Sequence, residues 1–123
     1  MKLGDAAIDW GHFVEARHRL GQNFPCEMSH LSIDGSKAVA AIEDALRSAK
    51  AHAIIKPAGQ LKAEAFRLGA QSLADLAEDI ECGARDCVEW GQGPKELANL
   101  IAQLRPTFAE SVNLLENRAN RLN

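Results

Sequence analysis

Apolar residues recur at spacings of three and four along most of the chain, and that period predicts helices. Asp9 reads as an N-cap opening a first helix that carries Trp10, Phe13, Val14 and Leu20 and stops at Gly21. A second helix starts near Phe24-Pro25, with proline suited to a first turn, and turns Met28 and Leu31 to the apolar side. Asp34-Gly35-Ser36 reads as a break before a third helix with Val39, Ile42, Leu46 and Ala49; one long helix with a weak point is the alternative. The fourth helix should start near Lys50 or Ala51 and end at Gly69, with Ile54, Leu61, Ala65 and Leu68 as its core stripe. Pro57 either kinks it or marks its first turn; a helical lead-in with a tolerated kink is expected.

A fifth helix carries Leu73, Leu76, Ala77, Ile80, Ala84, Cys87 and Val88 and ends around Trp90-Gly91. After a Gly91-to-Pro94 turn, a last helix shows Leu97, Leu100, Ile101, Leu104, Phe108, Val112, Leu115 and Ala119, bent by Pro106. The fold class expected is all-α, an antiparallel four-helix bundle with short N-terminal helices capping one end.

Composition narrows the function. The chain has 123 residues, the size of one domain, and residues 1–123 are expected to form a single bundle. Only 5% of residues are aromatic and none is tyrosine, so Leu, Ile, Val and Ala must build the core, which favours packed helices. A net charge of -3 gives no field to hold nucleic acid or anionic lipid. No apolar run approaches the roughly 20 residues a membrane span needs. Met1 to Asp5 lack the apolar core of a signal peptide, so a cytoplasmic location is expected. Cys26, Cys82 and Cys87 form no C-x-x-C pair and are expected to be buried or half-buried thiols. His12, His18, His30 and His52 show no i, i+4 pairing, and neither a metal nor a cofactor is expected.

Residues 58 to 81 carry the chemistry-bearing pattern. Ala58, Leu61, Lys62, Ala65, Leu68, Gly69, Ala70, Leu73, Leu76, Ala77, Ile80 and Glu81 follow one another without a gap. Their order resembles the signature of histidine-containing phosphotransfer (HPt) domains: Ala-His-x-Leu-Lys-Gly, small and apolar residues, Gly-Ala, then Leu-x-x-Leu-Ala-x-x-Leu-Glu. Leu20-Gly21 with Phe24, and residues Ala41 to Leu46, extend the likeness weakly on the N-terminal side. Two positions depart from it. Gly59 stands where the family has its phosphate-accepting histidine, and Ala63 where it usually has glycine.

On a wheel of about 100° per residue, with Gly59 at 0°, Ile55, Lys56, Lys62, Ala63 and Phe66 all fall within about 60° of it. Leu61 and Leu68 lie opposite, so Gly59 is expected midway across the side turned from the core. The resemblance implies that Ile55, Lys56, Gly59, Lys62, Ala63 and Phe66 form a surface that binds the receiver domain of a response regulator. Glycine offers no nitrogen, oxygen or sulfur to a phosphoryl group, so the nucleophile is absent and no enzymatic activity is expected. Lys62 is either a solvated helix lysine or the lysine the family sets near phosphoryl oxygens. Phe66 either joins a docking surface or packs under a neighbouring helix. His52, seven residues before Gly59 and nearly on its face, is the alternative phosphoacceptor, and otherwise a surface residue. The expected role is therefore a pseudo-phosphotransfer protein that competes for receivers, with an active intermediate through His52 or a helical adaptor as alternatives.

Overall fold

The computed structural model describes residues 7–122. Among them the regular structure is helical: α1 (Trp10–Leu20), α2 (Phe24–Arg47), α3 (His52–Arg67), α4 (Gln71–Glu89), the one-turn α5 (Ala98–Ala102) and α6 (Leu104–Leu122). The long helices α2, α3, α4 and α6 form an antiparallel four-helix bundle. Helix α3 packs between α2 and α4, and α6 closes the bundle against both of them.

The expected stripes supply the core. Ile54, Leu61 and Ala65 of α3 meet Val39 and Ile42 of α2 and Leu73, Ala77 and Ile80 of α4 in one buried cluster. Val14 and Val88, expected to face inward, are instead about half exposed, and Ala16 takes the buried place on α1. Cys87 is buried as expected, whereas Cys26 and Cys82 are exposed, contrary to the expectation for those two.

Helix α1 lies across the end of the bundle where α3 turns into α4. Asp9 caps it by accepting a hydrogen bond from the His12 N–H at 3.0 Å, and the Asp9 N–H donates to Gly69 O at 2.7 Å. Phe13 is fully buried beneath it, edge-on to both Trp10 and Phe24 with ring centroids 5.5 Å apart in each pair. Arg118 of α6 lies over the Trp10 ring, 4.7 Å from its centre.

Gly69 ends α3 with φ at 82°, in the left-handed region. Its N–H bonds Phe66 O and the Ala70 N–H bonds Ala65 O, the paired closure of a Schellman turn. A Cβ at Gly69 would come within 2.7 Å of Asp9 O, so glycine also lets α1 sit directly on this turn.

Three expectations about the elements are corrected. No break occurs at Asp34-Gly35-Ser36; α2 runs unbroken from Phe24 to Arg47. Gly35 is buried there, and a Cβ would stand 2.6 Å from the Phe108 ring and 3.4 Å from Leu61, so the glycine admits a close helix crossing. Ala49 does not continue that helix: it adopts φ 57° just past Arg47, and the Lys50 N–H returns to Ala45 O. The last helix is not bent at Pro106. The chain breaks at Gln103 between α5 and α6, which places Pro106 in the first turn of α6, where its missing N–H leaves no bond unmade. Pro57, by contrast, lies inside α3, and the lead-in from His52 is helical.

Candidate functional site

The outer side of α3 carries the residues singled out above. His52, Lys56, Ala63 and Phe66 are exposed, and Ile55, Gly59 and Lys62 are partly covered. Ile55 is partly buried and packs on the core cluster. Phe66 does not slip under a neighbour. It stays 54% exposed, and the His12 ring of α1 rests against it at 5.0 Å between centroids.

Gly59 is not bare. The Glu81 carboxylate reaches over from α4 and lies where a side chain at 59 would begin: a Cβ there would be 2.9 Å from Oε2. Lys62 donates from Nζ to Glu81 Oε1 at 3.0 Å, and Arg85 donates to Oε2 at 3.2 Å. The Glu81 side chain is only 12% exposed, so its charge is held on the helix surface by the two cations. The Lys62 hydrogen bond, helped by the one from Arg85, holds the Glu81 carboxyl below the usual carboxylate range against the opposing effect of burial. The same contact raises Lys62 above its ordinary value.

Beside this triad an open hollow of about 390 Å³ runs between α3 and α4, lined among others by Lys62, Ala63, Phe66, Gln71, Asp75 and Glu78. The surface thus combines an exposed aromatic ring, small residues and a carboxylate held between two cations.

The structure brings Gly59, Lys62, Ala63 and Phe66 together and leaves His52 in the first turn of α3. Glu81, Arg85 and His12 join the site from other helices. The Glu81–Arg85 pair is visible in sequence as an i, i+4 contact; the approach of Glu81 to Gly59 and of His12 to Phe66 is tertiary and has no local signal. His12 Nε2 is buried without a hydrogen-bond partner beside that ring. Among the described residues no group of three His, Cys, Asp or Glu side chains could hold a metal ion, and no helix is long and apolar enough to cross a membrane.

No family model matches the chain, and no curated protein matches it. Among solved structures it is similar to histidine-containing phosphotransfer protein B (HptB) from Pseudomonas aeruginosa PAO1. The two share a TM-score of 0.81 and 21% identity over 95% of this chain and 97% of that one. The fold is HPt-like. At this identity the likeness carries the architecture, while the chemistry must be argued from the residues present.

Proposed function

We propose that this chain is a single-domain pseudo-phosphotransfer protein of the cytoplasm. It binds receiver domains of response regulators in a phosphorelay, without accepting phosphate, and so competes with working carriers or modulates them. The observation that carries the reading is Gly59: at the centre of the α3 surface of an HPt-like bundle, it presents no atom that can attack phosphorus. Lys62, Ala63 and Phe66 supply the contact surface around it, with Lys56 at its rim. The exposed Phe66 ring is the natural anchor, since a desolvated aromatic at an interface centre often contributes about 2 kcal/mol or more.

The test is titration against the receiver domains encoded in the same genome, paired with incubation against the phosphorylated receiver. Binding that Phe66→Ala weakens by about tenfold or more, with no acid-labile, base-stable label on this chain, is the expected result. The exposed imidazole of His52 on the same helix favours a second reading, an active intermediate. A label lost on His52→Ala would establish that reading in place of the first. Absence of any receiver binding would leave the chain a helical adaptor for another partner.

A further inference from the structure

Apart from the α3 surface, three side chains of α2 make a second chemical arrangement. Cys26 Sγ stands 3.8 Å from His30 Nε2, one helical turn on and on the same face. On the other side of the ring, Glu27 Oε2 lies 3.6 Å from His30 Nδ1. A carboxylate there favours the tautomer with its proton on Nδ1, which leaves Nε2 as the acceptor facing sulfur. Glu27 is itself anchored, because its Oε1 takes a hydrogen bond from Arg67 of α3 at 3.3 Å. Thiol, imidazole and carboxylate in that order are a nucleophile, its base and the group that orients the base. Cys26 is exposed and the His30 side chain half exposed, so a small reagent can reach the sulfur.

The other two cysteines supply the contrast. Cys87 is buried, and burial together with the neighbouring Glu96 carboxylate pushes its thiol up. Cys82 is exposed like Cys26, but among the described residues it makes no hydrogen bond to a histidine. Lys62, the cation near it, is held by Glu81. We propose that Cys26 is a nucleophilic thiol with His30 as its base, and that this face of α2 is a modification site for low-molecular-weight disulfides. His30 Nε2 takes the thiol proton as the Cys26 sulfur attacks one sulfur of the disulfide. A new S–S bond forms to Cys26 while the old one breaks, and the departing thiolate recovers the proton from the imidazolium. Cys26 is oxidised and the departing half of the reagent is reduced, so the disulfide is the only oxidant required. None of this depends on what the α3 surface binds.

The experiment treats the reduced full chain with hydroxyethyl disulfide, an uncharged reagent that the charges around each cysteine do not steer. Samples are quenched in acid at intervals, and mass spectrometry of peptic peptides gives a rate for each cysteine. At pH 7 Cys26 should react about tenfold faster than Cys82, and Cys87 should not react while the fold holds. His30→Gln should bring Cys26 down to the Cys82 rate, and Glu27→Gln should lower it part of the way. An unreacted Cys87 shows in the same spectra that each variant is folded. Should His30→Gln unfold, the wild-type ratio of the two exposed thiols decides. Equal rates at Cys26 and Cys82 in the wild type, or a Cys26 rate unmoved in folded His30→Gln, overturns the proposal. A rate unmoved in folded Glu27→Gln strikes the carboxylate from the arrangement.

Discussion

At position 59 the question is how much a single missing side chain explains. The Glu81 oxygen that would meet a new Cβ at 2.9 Å belongs to the far end of a flexible side chain, so it can swing aside at little cost. An imidazole introduced there would then have Glu81 within reach as acceptor for a ring N–H, and Lys62 would be freed toward incoming phosphoryl oxygens. Gly59→His is accordingly expected to take an acid-labile, base-stable label from a phosphorylated receiver where the wild type takes none. A folded Gly59→His protein that stays unlabelled would place a second block at Ala63 or in the surface around it. The motif was enough to find Gly59 and Lys62 in the sequence, because both lie on one helix at fixed spacing. Glu81 was visible only as a motif residue. Its cover over Gly59 depends on how α4 packs on α3, since 19 residues separate it from Lys62.

Helix ends and interiors were legible where the backbone demands a particular residue. Asp9 and Gly69 announced the start of α1 and the end of α3 because a cap oxygen and a left-handed turn have strong residue preferences. Gly35 misled for the complementary reason. Nothing local distinguishes a glycine that breaks a helix from one that makes room for Phe108 of a helix far along the chain. Ala49 misled by being an alanine, a good helix former placed in a left-handed turn, with the Ala49 N–H bonding Leu46 O and the Lys50 N–H bonding Ala45 O. That turn stores a steric cost of about 1 kcal/mol, from Cβ against the carbonyl oxygen. Ala49→Gly removes the cost and gives part of it back through the greater freedom of the unfolded chain. A net gain of about 0.5 kcal/mol is expected, read as a higher urea midpoint at unchanged slope. A lower midpoint would mean that the alanine methyl makes a packing contribution larger than the strain.

Across the whole molecule, ion pairs tie the helices together and set how stability follows pH. Arg105 of α6 holds Glu43 of α2 in a two-pronged contact at 2.6 and 3.1 Å, and Lys62 of α3 holds Glu81 of α4. Both carboxyls are lowered in the folded protein, Glu43 chiefly by the Arg105 hydrogen bond. In acid the unfolded chain therefore binds more protons at these two groups than the folded one. Their contribution is present above the unfolded carboxylate value and is lost as pH falls through the lower folded values. Glu64 works the other way: burial, with Asp34 adding to it, raises its carboxyl, so its contribution fades as pH rises through the folded value. Single-residue variants separate these opposing effects. Glu43→Gln should lose stability at pH 7, by less than about 1 kcal/mol because Arg105 is 54% exposed and solvent screens the pair. The deficit against wild type should shrink toward zero as pH is lowered through the folded Glu43 value, when both proteins carry an uncharged group there. Urea denaturation of both proteins at a series of pH values from 7 down through the acid range measures the difference directly. A deficit that stays flat down the whole series would show that Glu43 acts through the packing of its side chain between α2 and α6, with its charge contributing nothing.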